Sequence, residues 1–133
     1  ALEEAELIVI APSNPFVSIG PILAVRGIRQ QLERTRGVSV AISPIIAGQV
    51  VKGPAAKMME SMGYEVSALG VAQIYKNLID LFVIDEQDRA LAPKVEALGL
   101  KCFVTDTMMT TMERKAEIAQ AVLEAAKSVK TRK

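Results

Sequence analysis

The residues best equipped for chemistry lie in short polar segments that follow apolar runs. Ser13, Asn14 and Ser18 belong to Ala11-Pro12-Ser13-Asn14-Pro15-Phe16-Val17-Ser18-Ile19-Gly20-Pro21-Ile22-Leu23, directly after Leu7-Ile8-Val9-Ile10. Hydroxyls and a carboxamide supply donors and acceptors without charge, which suits recognition of a polar ligand. Gly20 removes a side chain where a ligand has to come close to the backbone. Pro12, Pro15 and Pro21 stiffen the segment, and they predict neither a regular helix nor a central strand there. Ser43-Pro44-Ile45-Ile46-Ala47-Gly48 repeats the device: a small polar residue, a proline, then a turn glycine.

Charged groups enter at three further places. Lys52-Gly53 precedes Pro54, so a cation and open amides stand at an expected helix start, where the dipole favours an anion. The competing account is an ordinary helix start with a surface lysine. Asp85-Glu86-Gln87-Asp88 carries three carboxylates after the apolar run Leu81 to Ile84. Oxygen ligands suit magnesium, but an acidic first turn with Asp85 or Asp88 as cap accounts for the same residues. The cap is the reading adopted, and no metal ligand is assigned within the chain. Asp106 and Thr107 follow another apolar run and serve either as ligand contacts or as a structural turn. Arg26 and Arg29 lie near the same end and are expected to be largely solvated, with phosphate contact as the alternative.

Absences narrow the chemistry. The chain has no histidine, which rules out Ser-His-Asp and Cys-His catalysis and imidazole metal sites within it. Cys102 is the lone cysteine, in Lys101-Cys102-Phe103-Val104, so an intrachain disulfide is impossible and a reducing cytoplasm is expected. It reads as an inert, buried thiol. A net charge of +1 gives no pull toward nucleic acid or an acidic membrane. No apolar run approaches the roughly 20 residues of a membrane span. The opening Ala1-Leu2-Glu3-Glu4 lacks a methionine and suits a fragment or a cut chain.

The elements that must position these residues follow from periodicity. Apolar runs at Glu6–Ala11, Val38–Ser43, Leu81–Ile84 and Leu100–Thr105 read as strands covered on both faces. A helix is expected over about Ala24–Glu33 with Val25, Ile28 and Leu32 inward, and Gly37 beyond its end. Another starts at Pro54 and runs to Met62 with Ala55, Met58, Met59 and Met62 inward. Val71, Ile74, Tyr75, Leu78 and Ile79 mark the clearest helical stripe, and Tyr75 reads as core with a wet hydroxyl. Pro93 shortens the next helix, which ends near Leu98. Thr110 with Glu113 reads as a capping box. It opens a last helix to Lys127 with Met112, Ala116, Ala119, Val122, Leu123 and Ala126 inward. Strands alternating with helices give one three-layer, doubly wound α/β unit over residues 1–133, with a mainly parallel sheet, Rossmann-like in the broad sense. In such sheets ligands sit at the carboxyl ends of the strands. Ser13, Asn14, Ser18, Gly20, Ser43, Lys52, Gly53, Asp106 and Thr107 are therefore the candidate substrate-binding residues. No catalytic residue is assigned.

The same segments carry a family resemblance. Ala11-Pro-Ser-Asn-Pro, Val17-Ser18-Ile19-Gly20-Pro21-Ile22-Leu23, Ser43-Pro44-Ile45-Ile46, Lys52-Gly53-Pro54-Ala55, Ser67-Ala68-Leu69-Gly70-Val71-Ala72 and Phe82-Val83-Ile84-Asp85-Glu86-Gln87-Asp88 resemble, in order, the 2-phospho-L-lactate transferases of coenzyme F-420 biosynthesis. The glycine-rich turn and acidic residues with which that family begins are missing here, so the chain resembles the C-terminal part of such an enzyme. The resemblance implies transfer of a 2-phospholactyl or phosphoenolpyruvyl group from a guanosine diphospho-linked donor to the deazaflavin alcohol Fo, with release of GMP. It implies Mg2+, with ligands expected outside this chain, a cytoplasmic and archaeal setting (or actinobacterial), and a homodimer or other homo-oligomer. By chemistry and loop position, Ser13, Asn14, Ser18 and Gly20 would meet the deazaflavin or its ribityl chain. Ser43, Lys52 and Gly53 would meet the donor, Lys52 at a phosphate. The isolated chain is expected to be inactive. A nucleotide or sugar-nucleotide binding regulator of the same architecture is the alternative, and a flavodoxin-like or receiver-like domain a third.

Overall fold

The four apolar runs pair side by side into one parallel sheet. The computed structural model describes residues 1–50 and 53–129. Its strands are β1 (Leu7–Ile10), β2 (Val38–Ile42), a hairpin of β3 (Ile45–Ile46) and β4 (Gln49–Val50), β5 (Leu81–Asp85) and β6 (Lys101–Thr105). The main sheet has the order β1-β2-β5-β6, parallel throughout, with Leu7 opposite Val38, Val40 opposite Leu81 and Phe82 opposite Cys102. The helices are α1 (Gly20–Ala24), α2 (Ile28–Arg34), α3 (Ala55–Ser61), α4 (Ala68–Tyr75), α5 (Ala92–Glu96) and α6 (Met112–Lys127). A π-helical turn, Pro15–Ile19, precedes α1, and a 3-10 turn, Glu86–Leu91, precedes α5.

Strand order follows chain order, so each crossover steps the same way. With one hand of crossover, all three connections land on one face. There Ile10, Ala41, Phe82 and Ile84 pack with Leu23, Leu32, Met59, Val71, Tyr75 and Val95. The opposite face of β2 and β5, through Val40, Ile42, Leu81 and Val83, receives Ile118, Val122 and Ala126 of α6. Helices thus lie on both faces, which is the expected three-layer, Rossmann-like α/β architecture. Cover on both faces holds for β2 and β5; β1, with Val9 45% exposed, and the half-buried β6 correct the expectation that all four strands would be covered on both faces.

Several local expectations are corrected. The proline-rich first segment is helical: Pro15 and Pro21 occupy first-turn positions, where a missing amide proton costs nothing. The expected helix Ala24–Glu33 is broken at Gly27, which takes φ +90, and this leaves Val25 58% exposed. Pro54 is the residue before α3, and Met62, expected inward, is 62% exposed. The last helix is capped by Thr111, whose hydroxyl accepts from the Arg114 amide; Thr110 is not the cap. Its buried face is Ile118, Val122 and Ala126, while Ala116, Ala119 and Leu123 are exposed and Met112 is 77% exposed. Only one sheet covers α6, so a single narrow i, i+4 stripe is buried. Tyr75 is core, but its hydroxyl is dry and has no partner among the described residues. Burial pushes its pKa up. Burial first, then the nearby Glu96 charge, pushes the Cys102 thiol up to about 11, which fits an inert thiol.

Candidate functional site

Three strand exits converge on one cavity of about 620 Å³. The exit of β1 supplies Pro12, Ser13, Asn14, Val17 and Ser18; that of β2 supplies Ser43, Pro44, Ile46, Val50, Gly53, Pro54 and Ala55; that of β6 supplies Thr107, Met108, Met109 and Thr110. Parallel strands put all their carboxyl ends on one edge, so segments almost a hundred residues apart meet there. Among the described residues, none that lines it is charged. Proline, aliphatic and methionine surfaces form the walls, with a few polar groups set into them, an arrangement that suits a neutral organic ring.

Hydrogen bonds decide which polar groups remain available to a ligand. Asn14 Oδ1 accepts from the Phe16 amide at 2.9 Å and the Val17 amide at 3.2 Å, which caps the π-helical turn. Its Nδ2 rests 3.7 Å from the Met58 sulfur. Asn14 therefore offers a ligand N–H donors rather than an acceptor. Ser43 Oγ donates to the Ile45 carbonyl at 2.9 Å and accepts from the Ile45 amide at 3.1 Å, so it shapes its own turn. Thr107 donates both its amide (2.8 Å) and its hydroxyl (3.1 Å) to Asp85 Oδ2, which leaves only lone pairs facing outward. The Ser13, Ser18 and Thr110 hydroxyls complete the polar set.

The candidate residues are thus placed as follows. Ser13, Asn14, Ser18, Ser43, Gly53 and Thr107 line the cavity together. Gly20 lies outside it, in α1, where a Cβ would sit 3.1 Å from the Pro15 carbonyl oxygen. Asp106 also lies outside the lining: it accepts from the Met108 amide and pairs with Arg114 at 3.2 Å, while Arg114 also pairs with Glu117. Lys52 lies outside the described residues. Gly53 takes φ +94 ahead of α3, a helix of seven residues. The hairpin β3–β4, with its tip at Ala47 (φ +51) and Gly48 (φ +74), is a wall the sequence reading did not separate. The Ala47-Gly48 pair between Ile45-Ile46 and Gln49-Val50 is its signal.

The carboxylates at the end of β5 and in the 3-10 turn after it are engaged by backbone amides. Asp85 Oδ1 accepts from the Gln87 amide at 3.0 Å, and Oδ2 is taken by Thr107. Asp88 accepts from the Ala47 amide at 3.1 and 3.2 Å. Among the described residues no three acids or thiols gather as a metal would require. Burial by itself would raise the Asp85 carboxyl, but the Gln87 and Thr107 hydrogen bonds outweigh it and hold the group below the ordinary aspartate value. Asp88 moves the other way: burial raises it, the Ala47 amide offsets part of that, and the Asp85 charge adds to the rise. No helix among the described residues is long and apolar enough to cross a membrane.

Comparison with known proteins places this geometry in a family. The family model described as 2-phospho-L-lactate transferase CofD matches residues 1–125. A 2-phospho-L-lactate transferase of Methanosarcina mazei is 46% identical over 125 residues, which is 94% of this chain and 41% of that protein. That of Methanocaldococcus jannaschii is 37% identical over 93% of this chain and 38% of the relative. A phosphoenolpyruvate transferase of Kitasatospora aureofaciens is 41% identical over 98% of this chain and 41% of its own length. The chain spans about two fifths of the curated relatives it matches. These matches do not assign it to the relatives' C-terminal part, so that expectation gains nothing from them. A crystal structure of a Bacillus halodurans protein shares the fold, with a TM-score of 0.56 at 17% identity over 92% of this chain and 44% of the other.

Proposed function

The chain belongs to the 2-phospho-L-lactate transferase CofD family, and from that premise we propose that its cavity receives the acceptor of the transfer. The full reaction moves a 2-phospholactyl or phosphoenolpyruvyl group from a guanosine diphospho-linked donor to the terminal hydroxyl of the deazaflavin alcohol Fo, and GMP leaves. The observation that carries this reading is the cavity between the exits of β1, β2 and β6, whose lining among the described residues is apolar or neutral polar. A diphosphate would need cations or many free amides. A flat neutral heterocycle with a polyol tail needs apolar walls and scattered hydroxyls, as here. Lys52, beside the rim residue Gly53 in sequence, is assigned to the donor phosphates.

Displacement at phosphorus depends on in-line placement and charge neutralisation, so no histidine is required. The contribution of this chain is positional. Asn14 donates to a carbonyl of the ring, Ser13 and Ser18 bond the ribityl hydroxyls, and the methionines exclude water above the ring. Mg2+ would be held by residues outside this chain, because its own buried β5 carboxylates are committed to backbone amides. The 133 residues are read as one α/β unit of a longer cytoplasmic, self-associating transferase.

The test uses the complete transferase that carries this chain. Asn14→Asp should raise the KM for the deazaflavin alcohol, and Lys52→Ala the KM for the guanosine donor. If both variants keep rate and both Michaelis constants, the site assignment is wrong. Selectivity for GDP over uridine diphosphate sugars separates the transferase from a regulator of the same architecture.

A further inference from the structure

Asp85 and Asp88 stand one 3-10 turn apart behind the cavity, and neither lines it. Each nevertheless grips a wall. Asp85 Oδ2 holds the amide and hydroxyl of Thr107, which fixes the segment leading to Met108 and Met109. Asp88 holds the Ala47 amide with both oxygens, at the tip of the hairpin that presents Ile46 and Val50. Both carboxylates are buried, at 3% and 7% exposure. A buried carboxylate is costly unless hydrogen-bonded, and apart from the local Asp85–Gln87 cap these bonds run to segments flanking one pocket. Among the described residues, the Thr107 and Ala47 amides have no other acceptor. The hairpin has two strands of two residues each, too short to be stable alone; Ile45 anchors its base in the core, and Asp88 holds its tip.

We infer that Asp85 and Asp88 are positioning residues for acceptor binding, which set the gap between the β3–β4 hairpin and the Thr107–Met109 segment without touching the ligand. The inference rests on the acceptor-site reading above. Its chemistry is that of two anionic acceptors clamping backbone amides. Each fixes a main-chain segment, and so several ligand-facing side chains at once. Charge-assisted bonds of this kind are stronger than neutral ones, which suits them to holding short irregular backbone.

The experiment compares Asp88→Ala and Asp88→Asn with the unsubstituted transferase that carries this chain. Three quantities are read: exchange of the Ala47 amide proton, the Kd of Fo followed by its fluorescence, and kcat with both Michaelis constants. Asp88→Ala should speed Ala47 exchange about tenfold. It should raise the Kd and the acceptor KM by about tenfold, as expected of a displaced binding wall, with kcat and donor KM nearly kept. Asp88→Asn retains one acceptor oxygen and should restore most of the affinity. Faster exchange with unchanged Kd and acceptor KM overturns the inference and leaves the site reading intact. Failure of the unsubstituted enzyme to bind Fo in this cavity overturns the site reading, and the inference with it. Where Asp88→Ala does not fold, Asp85→Asn decides: faster Thr107 exchange with weaker binding supports the inference, and unchanged binding overturns it.

Discussion

Asn14 and Met58, 44 residues apart, meet across the cavity rim, with the carboxamide nitrogen 3.7 Å from the thioether sulfur. The contact ties the β1 exit to α3. It also orients the carboxamide, whose oxygen caps the π-helical turn while its nitrogen spends one N–H on the weakly accepting sulfur and keeps the second for a ligand. Two variants separate these roles. Asn14→Ala should lose the cap and destabilise the fold by about 1 kcal/mol. Asn14→Asp keeps an oxygen for the Phe16 and Val17 amides and should melt close to the unsubstituted protein, yet bind Fo more weakly. Thermal melts beside a fluorescence titration check both, and equal binding by the aspartate variant would remove the donor role.

Ser43 lines the same cavity but spends its hydroxyl on Ile45, in both directions. Ile45 is fully buried, so Ser43→Ala strands an amide in the core. The expected loss is about 1–3 kcal/mol in chemical denaturation. Once allowance is made for the folded fraction, ligand affinity should change little.

Asp85 makes acid stability predictable in sign. Its folded pKa lies below the unfolded value, so its contribution is present above the unfolded aspartate value near 3.8 and is lost as pH falls through the folded one. Asp88, raised by burial, takes up its proton earlier on acidification; its term favours the fold below the ordinary aspartate value and fades as pH rises through the folded one. Asp85→Asn should lower stability at neutral pH and flatten the steep loss below about pH 4. Denaturation midpoints measured from neutrality to pH 3 would show it. An unchanged acid limb would mean that Asp85 is not the group responsible.

The phase of α6 can be tested by truncation. Ile118→Ala, at 2% exposure, should cost about 2–4 kcal/mol. Met112→Ala, at 77% exposure, should stay within about 0.5 kcal/mol. Reversal of that order would restore the inward face expected from the apolar pattern.

Glycine 70 offers a last check on packing. A Cβ there would overlap the Glu65 carbonyl oxygen and lie 2.9 Å from the Met59 methyl. Gly70→Ala should therefore destabilise α4 by about 2 kcal/mol or more, read as a lower denaturation midpoint.

Much of the fold is legible in the sequence. Leu81 to Ile84 is an uninterrupted apolar run and Val38 to Ile42 is broken only by Ser39, and such runs have few homes other than a sheet covered on both faces. Ser13, Asn14, Ser18, Ser43 and Thr107 could be gathered in advance because parallel strands deliver their exits to one edge. Composition fixed the absence of imidazole chemistry, which no folding could alter. Tertiary structure alone decided the rest. Strand order, and hence which face each crossover covers, is a long-range choice with no local signature. The inward face of α6 was legible at Val122 and Ala126 but not at Met112 and Leu123, which are apolar yet exposed. The roles of Asp85 and Asp88 hinge on amides 22 and 41 residues away. A carboxylate's sequence neighbours suggest a cap, but its distant hydrogen-bond donors determine what it holds in place.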